Sequence, residues 1–263
     1  MNRNESRATP GLALRLRFHG AVITGVDTLL AGMQALWQRH EVLANNLANT
    51  TTTAFKRDDV IPVPGNATAQ QPGAGFGLAL AASQPAIQYT DHAQGPIQQT
   101  GRSLDVALEG SGFFEVDTPS GPRYTRSGAF TLGGDGALMT ADGYPVKGVA
   151  GPLVLRSPNF TINGQGEIRD GEQVIGALKI VDFPKPYQLL KEGANLYVPA
   201  EPIPPDASSA QVVSGALEGS NVNSIEAMVS MIEVLRSYEA AQKALQALEE
   251  ANQAAANQIG TVV

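Results

Sequence analysis

The sequence predicts an α+β protein in which a long helix near each end flanks a strand-rich middle. The prediction rests on two observations. Apolar residues recur at steps of three and four in 26–47 and again in 221–259, and most Pro and Gly residues fall within 62–213. Steps of three and four give a helix one apolar face, whereas Pro and Gly mark the turns between short strands. The ends are therefore expected to be helical, and the middle to form a β domain.

Residues 1–21 carry four Arg residues ahead of the apolar stretch GAVITGVDTLLAG, which gives this region the outline of a signal peptide. Asp27 interrupts the apolar run, however, and no small-residue cleavage site follows it. The run is also shorter than the roughly 20 apolar residues that span a membrane. We therefore expect residues 1–21 to be a disordered N-terminal extension, and we expect no membrane insertion.

The N-terminal helix is predicted to carry a heptad-like apolar stripe. A single helix of this kind is typical of a surface helix packed on its own domain, and a seam between helices is the alternative. The helix is expected to stop at the Asn and Thr residues that follow it, because these side chains compete for backbone hydrogen bonds. The stripe consists of Leu29, Met33, Leu36, His40, Leu43 and Leu47.

The middle of the chain is predicted to contain short antiparallel strands joined by tight turns. Three Asp-Gly pairs mark such turns, because Gly readily adopts the positive φ that hairpins require. The segment FTLGGDGALMTADG from Phe130 is echoed by FTINGQGEIRDG from Phe160, which predicts two similar β units. Low-charge stretches over 65–86 and 199–210 are expected to be linkers.

The C-terminal helix is predicted to start after a cap at Ser220 or Asn221. At about 1.5 Å per residue it would extend far beyond a small domain, so it needs a partner along its length. Its apolar positions are Ile225, Met228, Ile232, Leu235, Tyr238, Leu245, Leu248 and Ile259.

Composition narrows the functional classes. The net charge of −7, the pI near 5.0 and the dispersed Lys and Arg residues argue against binding of nucleic acid, which needs clustered positive charge. The absence of cysteine excludes disulfides, thiolate metal sites and a Cys nucleophile. His19, His40 and His92 lie far apart in the sequence, so we predict neither a metal site nor any other cofactor.

Candidate catalytic residues do not form a catalytic pattern. Asp105, Glu109 and Glu115 fall on predicted strands beside apolar residues, as the acids of a half-buried sheet do. Ser111 lacks the Gly-x-Ser-x-Gly spacing of a nucleophile elbow. The chain is therefore predicted not to be an enzyme.

A secreted binding module or adhesin is the alternative from another functional class. Exposed Tyr89, Tyr124 and Tyr144 on the β domain would then contact a ligand. Tyrosines at sheet edges, however, commonly pack with their hydroxyl groups in water and bind nothing. The Tyr residues alone do not distinguish between these two interpretations.

The stretch LANNLANTTTTAFKRDD, from Leu43 to Asp59, resembles the signature of the flagellar axial proteins, the rod and hook family of the bacterial flagellum. That signature has an Ala-Asn-Asn-Leu-Ala-Asn core, here 44–49, followed by Thr, a small residue, Phe and a basic residue, here 53–56. The segments GRSLDVALEGSGFFEV, YTRSGAFTLGGDGALMTADGYPVKG, ANLYV and EGSNVNSIEAMVSMIEVLRSYEAAQK are also similar to the family. The resemblance covers residues 26–263.

The resemblance implies a structural subunit whose terminal helices pair as a coiled-coil-like hairpin around the β domain. Copies are expected to stack helically around a central export channel, with other rod proteins as further partners. The Asn- and Thr-rich segment then forms a joint after the first helix. The residues expected to form the assembly interface are Leu29, Met33, Leu36, Leu43, Asn45, Asn46, Leu47, Asn49, Phe55, Asn221, Asn223, Ile225, Met228, Ile232, Leu235, Tyr238 and Leu245.

The resemblance also implies export through the flagellar type III apparatus and a location in the basal body, as part of the periplasmic rod. The short segment between Phe55 and Ile97 and the C-terminal sequence resemble the proximal rod member, so we predict that type, with the distal rod protein as the alternative. The predicted division is an extension over 1–21, an axial helix and joint over 22–60, a linker over 61–98, a β domain over 99–213 and a C-terminal axial helix over 214–263.

Overall fold

A computed structural model describes residues 10–64, 83–155 and 160–260 of the chain, with side chains undescribed at 10–25, 28, 62–64, 83–86, 255–256 and 258–260. Parts of the predicted extension and of the predicted linker lie outside the described residues. The division into five segments therefore stays a prediction.

Contacts divide the described residues into two units. The helical unit comprises the described parts of Met1–Ala44, Asp58–Tyr89 and Glu226–Val263, and the β unit comprises Asn45–Arg57 and Thr90–Ile225. The residues that follow the first helix and those that precede the second helix thus both belong to the β unit.

The first helix, α1, spans Pro10–Ala48, and polar side chains satisfy its last carbonyl groups. Asn49 donates to the carbonyl of Asn45 from its backbone N–H at 3.2 Å and from Nδ2 at 2.9 Å. The hydroxyl of Thr50 donates to the carbonyl of Leu47 at 3.0 Å. Because the last carbonyls of a helix have no partner within the helix, this Asn- and Thr-rich sequence ends α1 by supplying those partners.

The second helix, α2, spans Ser224–Gly260. The side chain of Asn223 accepts a hydrogen bond from the backbone N–H of Ile225 at 3.1 Å, which is the role of an N-cap. Glu226 places a negative charge in the first turn, where the helix dipole stabilises acids. The cap is therefore Asn223 rather than the predicted Ser220 or Asn221.

The prediction that α1 and α2 pair as a coiled-coil-like hairpin is wrong. Such a seam buries two apolar residues per heptad, but Ile232 and Leu235 of the predicted α2 stripe are 52% and 43% exposed. Among the described side chains of α2, the buried hydrophobic residues are Ala227, Val234 and Ala241, one per heptad. Alanine buries little apolar surface, so this row cannot hold two helices together along their length.

The described residues contain nineteen strands, and every strand pair with a defined register is antiparallel. They are short because Gly, Pro and Asp-Gly turns interrupt the sequence every few residues. The strands are β1 (Asp58–Pro64), β2 (Ser83–Thr90), β3 (Ile97–Gln99), β4 (Val106–Glu109), β5 (Phe113–Thr118), β6 (Gly121–Thr125), β7 (Thr131–Leu132), β8 (Leu138–Met139), β9 (Lys147–Gly148), β10 (Gly151–Pro152), β11 (Phe160–Ile162), β12 (Glu167–Asp170), β13 (Gln173–Ala177), β14 (Ile180–Asp182), β15 (Leu189–Lys191), β16 (Leu196–Pro199), β17 (Asp206–Ala207), β18 (Gln211–Ser214) and β19 (Ala216–Glu218).

A six-stranded sheet in the order β15–β16–β6–β5–β14–β17 lies in the β unit, and β5 contributes to two hydrophobic clusters. Successive side chains on a strand point to opposite faces. Phe114 accordingly packs in the larger cluster, where its ring lies 5.2 Å from that of Phe130. Phe113 packs in a smaller aromatic cluster, 5.7 Å from the ring of Tyr197. The β5 strand therefore ties the two clusters together.

The predicted repeat forms two turns with the same backbone hydrogen bonds, which confirms two similar β units. Each turn has two bonds within it, and its last glycine accepts a third from a leucine further along the chain. Gly136 and Gly166 both have positive φ, at 79° and 81°. The first turn is closed by Gly133 N–H to Ala137 O (2.8 Å), Gly136 N–H to Gly133 O (2.9 Å) and Leu155 N–H to Gly136 O (2.8 Å), and the second by Asn163 N–H to Glu167 O (3.0 Å), Gly166 N–H to Asn163 O (2.9 Å) and Leu178 N–H to Gly166 O (2.9 Å).

Glu115 on β5 is held between two lysines. Its Oε1 lies 3.0 Å from Nζ of Lys147 and its Oε2 lies 2.8 Å from Nζ of Lys179, and the residue is buried. Burial raises the pKa of a carboxyl group, but the hydrogen bonds and charges of the two lysines outweigh it, so the pKa of Glu115 lies below its ordinary 4.5. Folding therefore favours the ionised form.

We expect Lys179→Met to unfold at a higher pH than the native protein on acidification. The lowered pKa of Glu115 stabilises the fold above pH 4.5, and this contribution is lost as the pH falls through the folded-state pKa. Because the Lys179 side chain is 37% exposed, the loss at neutral pH should be about 1 kcal/mol or less. Acid titration followed by circular dichroism measures the shift, with Lys243→Met as the control of equal charge change. Identical acid midpoints for the two variants would contradict the expectation.

Candidate functional site

The chain segments next to the two helices are tied to each other in the β unit. The backbone N–H of Ala54, six residues after α1, donates to the carbonyl of Glu218 at 2.8 Å. The backbone N–H of Asn221, three residues before α2, donates to the carbonyl of Phe55 at 3.2 Å. We call the segments 50–57 and 218–223 together the joint. In the joint, the segment that follows α1 is hydrogen-bonded to the segment that precedes α2.

A buried ionic network lies inside the joint. Nζ of Lys56 donates to Oε1 of Glu218 at 2.5 Å and to the carbonyl of Ala93 at 2.7 Å, and both charged side chains are fully buried. The same Oε1 accepts from the backbone N–H of Gly95 at 2.9 Å, and Oε2 accepts from Nε of Arg126 at 3.0 Å. One carboxylate thus faces two cations.

Burial governs the protonation of Lys56. It lowers the pKa of this lysine below the ordinary 10.5, and the charge and hydrogen bond of Glu218 offset the effect only in part. The positive charge of Arg126 lowers the pKa of Lys56 further. The ammonium group therefore depends on the Glu218 carboxylate for its place in the interior.

Asn221 links the joint to the loop between β2 and β3. Its Oδ1 accepts from the backbone N–H of Arg57 at 2.7 Å, and its Nδ2 donates to the carbonyls of Asp91 and Ala93 at 2.9 and 3.1 Å. Nε of Arg57 lies 3.0 Å from Oδ2 of Asp91. One partly buried amide side chain therefore satisfies backbone groups from two other segments.

Phe55 is buried in the joint under a lysine. Nζ of Lys191 lies 4.4 Å from the centre of the Phe55 ring and donates to the carbonyl of Lys56 at 2.5 Å. Nδ2 of Asn195 donates to the carbonyl of Thr53 at 3.0 Å. A cation over an aromatic face is attractive when it is partly desolvated, so β15 and the turn after it secure the joint from a second side.

The structure places the sequence-predicted assembly residues in different environments. Tyr238 contacts the ring of Trp37 with 6.3 Å between centroids, within the helical unit. Residues in the joint are Phe55, Asn221 and Asn223, and residues at the end of α1 are Asn45, Asn46, Leu47 and Asn49. Half-buried residues on the helices are Leu29, Met33, Leu36, Leu43, Tyr238 and Leu245. Exposed residues on α2 are Ile225, Met228, Ile232 and Leu235.

Sequence reasoning missed the charged members of the joint. Lys56 and Glu218 lie in the quoted segments AFKRDD and EGSNVNS, but nothing in one sequence marks a charge as buried. Arg126 and Lys191 lie in the β unit, far from either helix along the chain. The only sequence signal of the buried network is the basic residue Lys56, directly after Phe55.

Other kinds of site receive no support from the residues that the structure describes. Among them, no three acidic or histidine side chains are grouped closely enough to hold a metal ion. No helix in this part of the chain combines the length and apolar character needed to cross a bilayer.

Comparison with known proteins gives the family. Residues 107–212 match the family described as flagellar hook protein FlgE/F/G D1 domain, and residues 213–259 match flagellar basal body rod FlgEFG protein C-terminal. The flagellar basal-body rod protein FlgG of Agrobacterium fabrum is 32% identical, over 83% of this chain and 93% of its own. The chain belongs to the flagellar basal-body rod protein family.

Relatives of this rod protein carry two names. FlgF of Caulobacter vibrioides is 30% identical over 89% of this chain and 96% of its own, and FlgG of Bacillus subtilis is 32% identical over 84% and 93%. The resemblance seen in the sequence is therefore confirmed: the rod protein is a structural subunit of the flagellar basal body and assembles with other rod components. The choice between proximal and distal types stays a prediction.

Proposed function

We propose that this rod protein polymerises by burying the exposed apolar residues of α2 against other copies and other rod proteins. The stripe consists of Ile225, Met228, Val229, Ile232 and Leu235, which are 43–74% exposed. Steps of three and four place these residues along one side of the helix. Monomeric soluble proteins rarely expose such contiguous apolar surface, and a patch of this kind marks an interaction site.

The energy available from the stripe suits a repeated contact. Burying half of each of five large apolar side chains contributes roughly 1 kcal/mol apiece, or about 5 kcal/mol before the costs of association. A head-to-tail contact that does not close into a ring generates a helical filament. Many such contacts along a rod would add to a stable shaft around an export channel.

The remaining parts of the proposal rest on family membership. We infer that the subunit reaches the rod through the flagellar type III export apparatus and that its role is structural rather than catalytic. The joint contributes to that role by holding the segment that follows α1 against the segment that precedes α2 within the β unit.

The test is an Ile232→Asp, Leu235→Asp double variant placed in a strain that lacks this gene. We expect loss of motility and of polymer recovered by sedimentation, because two charges now face the surface that has to be desolvated. The free energy of unfolding of the monomer should lie within about 0.5 kcal/mol of the native value, since both side chains are exposed. The matched control is Gln242→Asp, Gln246→Asp, which adds the same charge at exposed positions of α2.

The controls separate assembly from folding. Motility with the control pair but not with the stripe pair supports the proposal. Full motility and normal basal bodies with the stripe pair would reject α2 as the polymerising surface, and loss of monomer stability would show that the stripe serves the fold.

A further inference from the structure

The buried network around Lys56 is an unusual way to close a joint. A Lys side chain is almost never fully buried unless it is paired, yet Lys56 and Glu218 both are. The two residues come from opposite ends of the chain, beside α1 and α2 respectively. An apolar pair would hold the same two segments together without desolvating charges. The ion pair therefore provides a specificity that an apolar contact lacks.

We propose that Glu218 and the Ala93 carbonyl form a primary-ammonium socket in the β unit, and that Lys56 is a positioning residue whose ammonium group sets the register of the joint. The socket has two acceptors for the ammonium, at 2.5 and 2.7 Å from Nζ. Two other donors hold the Glu218 carboxylate in place, the backbone N–H of Gly95 and Nε of Arg126. The acceptors are therefore oriented by the β unit itself.

The chemistry of the socket favours one kind of occupant. A primary ammonium presents three N–H donors and no acceptor, so it can serve Glu218 and the Ala93 carbonyl together. Charge-assisted hydrogen bonds are about twice as strong as neutral ones. The side chains that flank Lys56, at 53–55 and 57–58, are Thr, Ala, Phe, Arg and Asp, of which only Arg57 is cationic. The Arg57 guanidinium is already bound to Asp91. Only one register of the segment therefore fills the socket.

The register determines the rest of the joint. With Lys56 in the socket, the carbonyl of Phe55 meets the N–H of Asn221, and the N–H of Arg57 meets its side-chain Oδ1. A shift of one residue would separate both pairs. Through Asn221, Lys56 thus positions the segment that leads into α2, and its effect on polymerisation rests on the proposed function of that helix.

Chemical rescue of Lys56→Ala in the full chain tests the socket. We expect amide hydrogen exchange at Ala54 and Asn221 to accelerate by roughly tenfold to a hundredfold, the loss of hydrogen bonds to a charged group. Millimolar n-propylammonium, which replaces the three carbons and the ammonium that the substitution removes, should restore protection, whereas n-propanol and potassium chloride should not. The amide of Leu178, bonded to Gly166 elsewhere in the β unit, should stay protected throughout. Lys185→Ala is the control of equal charge change.

Each outcome decides the matter. Equal rescue by n-propanol, or unchanged exchange in the variant, would overturn the socket and leave only side-chain packing. If Lys56→Ala fails to fold, Lys56→Met fills the volume without the charge, and protection as in the native protein would likewise overturn it. The exchange is measured on monomer, so a failed socket is distinguishable from a failed α2 stripe, which alters only polymerisation.

Discussion

The Glu218→Gln variant of this rod protein is expected to be about 3–5 kcal/mol less stable than the native protein. The substitution keeps the shape of the side chain but removes the charge that faces both Lys56 and Arg126. Two buried cations then contact a neutral amide, and uncompensated buried charge is among the largest destabilising effects of a single substitution. Urea unfolding followed by near-ultraviolet circular dichroism measures the loss.

The pH dependence of this variant identifies the cause. In the native protein burial already lowers the pKa of Lys56, so the unfolded chain binds more protons between the folded-state pKa and 10.5, and stability rises with pH in that window. Without the Glu218 charge the pKa of Lys56 should fall further and the window should widen. Stability of Glu218→Gln is therefore expected to recover as the pH is raised.

Lys56→Met is the matched comparison, because it leaves the Arg126–Glu218 pair balanced. Methionine fills much of the lysine volume and carries no charge to desolvate, so the expected cost in global stability is below about 2 kcal/mol. Equal losses for Lys56→Met and Glu218→Gln would mean that packing, and not charge balance, holds the network together.

The second large effect is expected from Gly95→Ala, at about 3 kcal/mol or more. A Cβ atom at this position would lie 2.2 Å from the carbonyl oxygen of Gly219, which is backbone and cannot rotate away. Relief of the overlap would have to move Gly219 away from the segment before β3. That movement would break the hydrogen bond from the Gly219 N–H to the carbonyl of Pro96, which is 2.8 Å long. The N–H of Gly95 that holds Glu218 would move as well. Thermal unfolding of the variant measures the combined loss.

Gly134→Ala is the control for this substitution. A Cβ atom there meets nothing within 4 Å, so the change should alter stability by no more than about 1 kcal/mol, through the entropy of the unfolded chain. A Gly95→Ala protein as stable as Gly134→Ala would show that the segments around Gly95 and Gly219 can move apart at little cost in free energy.

The parts of the fold that local chemistry decides were predictable. The end of α1 follows from Asn49 and Thr50, whose side chains bind the last carbonyls. The two equivalent turns follow from the spacing of their glycines. The family signature placed the joint, although it gave no reason for it.

The parts that depend on tertiary contacts were not predictable. Helical periodicity shows that α2 has an apolar face, but not which surface covers it, and the hairpin was wrong for that reason. The α2 residues buried in the described structure, such as Ala227 and Ala241, are small and stand out from no pattern. The socket joins Lys56 to residues 37 to 162 positions away, and a single sequence carries no signal of such pairing.

The two equivalent turns of the β unit also show which positions of such a turn tolerate different side chains. The same three backbone bonds close both turns, although Gly133, Asp135 and Ala137 in one correspond to Asn163, Gln165 and Glu167 in the other. Both turns have a glycine with positive φ at the same place, Gly136 at 79° and Gly166 at 81°, so the backbone geometry is kept while most side chains differ. Gly136 had no such freedom, since a Cβ atom there would lie 2.5 Å from the carbonyl oxygen of Leu155. The backbone of the turn therefore constrains this glycine position and leaves the other side chains free to differ.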